Sequence, residues 1–146
     1  MDIKQLYRQV IMDHYKNPKN KGLVELPGYL TINLHNPSCG DDVSVQLLLE
    51  GDVIKDIRHQ GTGCSICCSS ASVASETLKY QSLTNATAII EEFYELIKGA
   101  EFNQNILVGD AIVYQTVHQF PARIKCATLA WKAIEEGVEQ LKQKED

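Results

Sequence analysis

Three cysteines in three separate settings carry the chemistry of this chain. Cys39 lies in Asn36-Pro37-Ser38-Cys39-Gly40-Asp41, Cys64 in Gly61-Thr62-Gly63-Cys64-Ser65-Ile66, and Cys126 in Arg123-Ile124-Lys125-Cys126-Ala127-Thr128-Leu129-Ala130-Trp131. Each follows or opens a turn, and none falls in the middle of an apolar stripe. Such thiols suit metal ligation or sulfur chemistry better than core packing. Asp41, two residues beyond Cys39, adds a carboxylate, giving four side chains of the kinds that Zn²⁺ accepts in a tetrahedral site. The separations of 25 and 62 residues exclude a compact zinc-finger knuckle, so the site must be assembled from distant loops at one end of a fold. Cys64 precedes a helix and Cys126 falls near the start of another, where unpaired N–H groups and the helix dipole are expected to favour thiolate.

The remaining candidates have blander readings. Asp41 and Asp42 would ordinarily be solvated turn residues. Cys67 and Cys68 read as core or helix-surface residues, although Cys64-Ser65-Ile66-Cys67 satisfies the C-x-x-C pattern of a dithiol redox site. His14, His35, His59 and His118 have no paired spacing and read as surface or satisfied histidines. Arg123, three residues before Cys126, could orient a thiolate or a sulfur-loaded cysteine, or be a solvated arginine at a helix start.

Composition limits the partners. A chain of 146 residues reads as one domain, 1–146, large enough for a core without disulfide staples. Its net charge of −5 and the lack of any basic stripe argue against nucleic acid. No apolar run approaches the roughly 20 residues of a membrane span, and the Met1 end has no signal-peptide h-region. The expected location is cytoplasmic. Reducing conditions there turn five cysteines from disulfide partners into metal ligands or reactive thiols.

Periodicity supplies the elements that hold these residues. Residues 2–16 carry Ile3, Leu6, Tyr7, Val10, Ile11 and His14 at helical spacing. Residues 29–36 and 42–50 alternate as strands, and 53–60 form a third in which Ile54 and Ile57 are only partly in phase. Short turns make an antiparallel meander the simplest arrangement. A helix rich in small residues follows over 65–80, then another over 86–98 that is closed by Lys98-Gly99. Residues 100–119 read as irregular, with a helical turn near 111–117. Pro121 opens the last helix, and its charged tail, 142–146, is expected to fray. The fold class is α+β, with a small three-stranded antiparallel sheet and helices packed on one face.

Together these segments resemble the IscU family of iron–sulfur cluster assembly proteins, and within it the SUF-system branch called SufU. The likeness runs from Leu6-Tyr7 and His14-Tyr15-Lys16-Asn17-Pro18 through all three cysteine motifs. It implies an α+β fold with Cys39, Asp41, Cys64 and Cys126 gathered at one end, binding Zn²⁺ or, in scaffold members, a nascent iron–sulfur cluster. The scaffold branch usually has His before the third cysteine, where this chain has Lys125. The stretch between the second and third cysteines is also about 20 residues longer than in that branch, and 100–119 lies within it. Both features are similar to SufU. That resemblance implies a zinc-dependent acceptor of persulfide sulfur from a SUF-type cysteine desulfurase, serving downstream SUF scaffold proteins. It further implies Cys39 as the sulfur acceptor, with Arg123 and Lys125 in support. The alternative is a scaffold on which a [2Fe–2S] cluster is assembled.

Overall fold

The computed structural model describes residues 2–145. Helix α1 (Ile3–Lys16) starts at an Asp2 capping box: Asp2 accepts the Gln5 N–H, and the Gln5 side chain accepts the Asp2 N–H. Strands β1 (Tyr29–Asn36), β2 (Asp41–Glu50) and β3 (Val53–Thr62) form an antiparallel sheet in the order β1-β2-β3. Helices α2 (Ser65–Leu78) and α3 (Leu83–Ile97), a 3₁₀ helix (Gly109–Gln119) and α4 (Pro121–Glu145) complete the chain. Among the described residues, no helix is long and apolar enough to cross a membrane.

The sheet buries one face under helices. Register pairs Ile32 with Val45 and Leu47 with Ile57, so their side chains share that face. Helix α4 lies against β1 and β2, and α2 against β3, while α1, α3 and the 3₁₀ helix close around them. Gly137 lets α4 approach closely: a Cβ there would sit 2.6 Å from Leu47 Cδ1. The imperfect phase of β3 has a local cause. Leu49 pairs with Ile54 and Leu48 with Asp56, so Lys55 is the extra residue of a β-bulge. Because the bulge absorbs one residue, Ile54 and Ile57 are both fully buried.

Two expectations change at helix ends. Helix α2 stops at Leu78, before residue 80, because Tyr80 turns to φ +73°. Its N–H then donates to Ile54 C=O, while the Ile54 N–H donates to Gln81 C=O. Helix α3 starts three residues before position 86 because Ser82 caps it, accepting the Asn85 N–H. Helix α4 runs to Glu145, and Lys142 Nζ lies 2.6 Å from Thr87 Oγ1 on α3. Asp146 lies outside the described residues.

Residues 100–119 are more ordered than their sequence suggests. Eleven of them form the 3₁₀ helix, an unusual length for that geometry. Tertiary contacts hold it: Tyr114 is buried, with its hydroxyl 2.7 Å from Ser69 Oγ. Tyr114 meets the Phe93 ring edge-on, and Phe93 stacks on Trp131 at 3.9 Å between centroids. The small residues of α2 do more than permit close packing. Ser70 Oγ donates to Ala127 C=O at 2.6 Å and accepts the Trp131 indole N–H at 3.0 Å. Ser70→Ala leaves a buried indole N–H without a partner. The expected loss is about 1–3 kcal/mol in urea unfolding.

His59 is also buried, and it is 2.7 Å from Lys19 C=O through Nε2. Burial holds its pKa below the ordinary value of 6.5, a pull that the Lys19 bond only partly offsets. The unfolded chain therefore takes up the His59 proton more readily than the folded one. This contribution is flat above that value, and stability falls as pH drops below it. Urea midpoints between pH 7.5 and 5.5 are expected to fall in the parent protein, and less so in His59→Gln.

Candidate metal centre

The turn between β1 and β2 is organised by Asn36. Its C=O accepts the N–H groups of Cys39 and Gly40, and its Oδ1 accepts the N–H and hydroxyl of Ser38. Gly40 closes the turn at φ +73°, a left-handed conformation that favours glycine. Asn36 Nδ2 is buried without a hydrogen-bond partner among the described residues. The turn leaves Cys39 exposed and places Asp41 as the first residue of β2. Asp41 is 1% exposed, unlike an ordinary solvated turn aspartate, whereas Asp42 is exposed.

Four interactions converge at this end of the fold. The Cys39 thiol donates to Asp41 Oδ2 at 3.0 Å and lies 3.5 Å from Cys126 Sγ. The Cys64 backbone N–H donates to Asp41 Oδ1 at 3.1 Å. Ligand atoms of Cys39, Asp41 and Cys126 all lie within 4.8 Å of one another. Cys64, at the N-cap of α2, stands just outside that triangle, with its thiol near enough to Cys126 to act on its ionisation. Two thiols and a carboxylate so placed, with a third thiol at the edge, form a donor set for a tetrahedral divalent cation.

The charges around the cluster are uneven. Burial pushes the Asp41 carboxyl up, but hydrogen bonds from Cys39, Cys126 and the Cys64 N–H, with Arg123 nearby, leave it below its ordinary value. Cys126 goes the other way from the sequence expectation. Burial raises its thiol far above the usual range, reinforced by hydrogen bonds to Asp41, Cys39 and Cys64. Cys126 is the sixth residue of α4 and 1% exposed. It lies beyond the unpaired N–H groups of the first turn, where the dipole acts most strongly, so desolvation decides. It is also a core residue, unlike the reading from its sequence setting.

Arg123 is exposed at the start of α4, and the nearby Cys64 and Cys126 sulfurs raise its pKa above the ordinary value. Lys125 is exposed, and no hydrogen bond or ion pair among the described residues engages its side chain. Cys67 is fully buried, and burial raises its thiol far above the usual range. Cys68 is half-buried, its thiol 3.7 Å from Gly63 C=O.

The segment from Leu6 to the third cysteine, residues 6–126, matches the NifU-like N-terminal domain. The chain belongs to that family. Its relatives include the zinc-dependent sulfurtransferase SufU of Bacillus subtilis (strain 168), 44% identical over 137 residues, covering 94% of this chain and 92% of that protein. The iron–sulfur cluster assembly scaffold protein IscU of Streptococcus pyogenes serotype M1 is 36% identical over 138 residues, covering 94% and 86%. Among solved structures, a putative iron–sulfur cluster assembly scaffold protein for the SUF system from Fervidobacterium islandicum AW-1 aligns with a TM-score of 0.76 and 30% identity, covering 90% and 95%. The α+β fold and the SufU/IscU likeness read from the motifs are borne out by these matches.

Within this NifU-like domain, Gly63 guards the carboxylate. Its φ is +156°, and a Cβ there would lie 2.3 Å from Asp41 Oδ1. Gly63→Ala must push that carboxylate off the Cys64 N–H. The expected outcome is retained far-UV circular dichroism with weakened Co²⁺ binding, read from the thiolate-to-cobalt absorption. Unchanged Co²⁺ affinity would show that the carboxylate does not need this position.

Proposed function

We propose that this chain is a zinc-dependent sulfur acceptor in iron–sulfur cluster assembly. In this reading Cys39, Asp41, Cys64 and Cys126 hold Zn²⁺, and Cys39 receives persulfide sulfur from a SUF-type cysteine desulfurase for downstream SUF scaffold proteins. The observation that carries the reading is the exposure of Cys39 in a cluster whose other members are buried or half-buried. A second protein's persulfide can reach that sulfur and cannot reach Cys126. The SufU of Bacillus subtilis, named for zinc-dependent sulfur transfer, supports the same assignment.

The donor set fits zinc: sulfur and carboxylate oxygen from the clustered residues, with Cys64 placed to supply the fourth ligand. Bound zinc would supply the positive charge that lets the thiols serve as thiolates near neutral pH. Asp41 stays ionised and accepts the Cys64 N–H, which fixes the start of α2 relative to the Cys39 turn. The transfer itself is thiol exchange. The Cys39 thiolate attacks the outer sulfur of the partner's persulfide, a new sulfur–sulfur bond forms on Cys39, and the partner cysteine leaves as thiolate. Arg123, beside Cys64 and Cys126, is placed to steady the anionic sulfur, and Lys125 adds a second exposed cation at the same helix start.

A groove of about 480 Å³ includes Arg123. Lys4, Arg8, Ile66 and the exposed Phe120 also line it. Cations around an apolar floor suit a protein surface with acidic and apolar side chains.

The test is alanine production by the organism's own SUF-type desulfurase, with and without the zinc-loaded protein. A large saturable increase is expected, and Cys39→Ser should abolish it while keeping the native circular dichroism. An increase that survives in Cys39→Ser removes Cys39 from the acceptor role. No increase with the parent protein shifts the weight to a scaffold for a [2Fe–2S] cluster, the role named for the Streptococcus relative.

A further inference from the structure

A second group of ligand-type side chains lies where α1, α2 and the 3₁₀ helix meet, and the sulfur chemistry does not use it. His14 on α1 is 5% exposed. Its Nδ1 is 2.8 Å from Ser72 Oγ on α2, and its Nε2 is 2.8 Å from Asp110 Oδ2 on the 3₁₀ helix. Glu76, one turn beyond Ser72, brings a carboxylate to the same place: one ligand atom each from His14, Glu76 and Asp110 lies within 4.8 Å of the others.

Hydrogen bonding fixes how the imidazole is presented. Ser72 Oγ already accepts the Lys19 N–H at 2.7 Å. A second lone pair on Ser72 Oγ remains to accept from His14 Nδ1–H. That contact sets the ring with Nε2 facing the carboxylates. An acceptor for the far ring N–H is the support that metal-ligating histidines have in known sites. Ser72 is fully buried, so this Ser–His–Asp series offers no accessible nucleophile.

The charges are unbalanced in this arrangement. Asp110 is half-exposed and Glu76 exposed, and no ion pair or hydrogen bond among the described residues engages the Glu76 carboxylate. Two carboxylates thus flank one imidazole without a lysine or arginine between them. One nitrogen and two oxygens from three different elements suit a hard or borderline divalent cation, unlike the thiol-rich first centre.

We propose that His14, Glu76 and Asp110 form a second metal site, taking a divalent cation of the Mn²⁺ class. The cation would take the Nε2 lone pair of the neutral ring, with the ring proton on Nδ1 and donated to Ser72 Oγ. It would clamp the 3₁₀ helix to α1 and α2.

The test is Mn²⁺ titration of the zinc-loaded full chain, followed by loss of the free Mn²⁺ resonance signal in electron paramagnetic resonance. One Mn²⁺ per chain is expected. Glu76→Gln and Asp110→Asn should each weaken it by no less than the roughly 10–100-fold that losing a supporting residue costs a metal site. Cys39→Ser should leave Mn²⁺ affinity unchanged, which separates this site from the sulfur centre. Mn²⁺ should also raise the Tm of the parent chain more than that of Glu76→Gln. Glu76 is exposed, so that variant keeps the fold. The proposal is overturned if the parent chain binds no Mn²⁺ at millimolar concentration, or if both variants bind it as the parent does.

Discussion

The buried carboxylate of Asp41 is the joint on which the site end of this fold depends. A carboxylate taken out of water is costly unless its oxygens are hydrogen-bonded, and here each oxygen has a named donor. Oδ1 accepts from the Cys64 backbone and Oδ2 from the Cys39 thiol. Asp41 opens β2, Cys39 belongs to the preceding turn and Cys64 caps α2, so one side chain ties three segments together. Two glycines, Gly61 near the end of β3 and Gly63 in its connection to α2, make close approaches here. A Cβ on Gly61 would come within 2.2 Å of Asp42 C=O, and one on Gly63 within 2.3 Å of Asp41 Oδ1. Gly61 lets β3 run tight against the β2 backbone, and Gly63 lets the connection run tight against Asp41 itself.

The fourth element arrives by a different route. Cys126 is held by α4, and α4 is registered against α2 one residue later, where Ser70 bonds Ala127 C=O and the Trp131 indole. Trp131 stacks on Phe93, whose edge contact with Tyr114 extends the same packing into the 3₁₀ helix. That helix ends at Gln119, two residues before α4 begins. The segment between the second and third cysteines is therefore part of what sets the entry of α4, and the depth of Cys126 follows from core packing.

How much of this was legible in the sequence depended on how local each cause is. Caps, turns and alternation are local, so the three strands, the helices and the cysteine motifs could be read directly. The bulge at Lys55 shows up in sequence only as a lost phase between Ile54 and Ile57, because the compensating partner lies on β2. The early end of α2 depends on Tyr80 and Gln81 bonding to Ile54, far away in the chain. Burial of Asp41 and Cys126 was hidden for the same reason: a turn aspartate and a helix-start cysteine look solvated until the sheet and α2 are in place. Lys142 reads as a solvated residue until Thr87 is beside it. His14 could be read as a satisfied histidine, but its partners Ser72 and Asp110 lie 58 and 96 residues away, and nothing in their spacing announces them.

Depth separates the clustered thiols by access. Thiol exchange proceeds through whichever sulfur an incoming persulfide can reach, and a cluster of equally accessible thiols would scatter transferred sulfur among them. Here the turn that Asn36 organises holds Cys39 at the surface, while the clasp between Ser70 and α4 sinks Cys126 into the core. Cys64 is intermediate, pinned through its backbone to Asp41. Cys39 and Cys126 are 3.5 Å apart yet differ in access, because one is carried by a loop and the other by a packed helix. Selectivity among chemically identical side chains thus comes from which element carries each one.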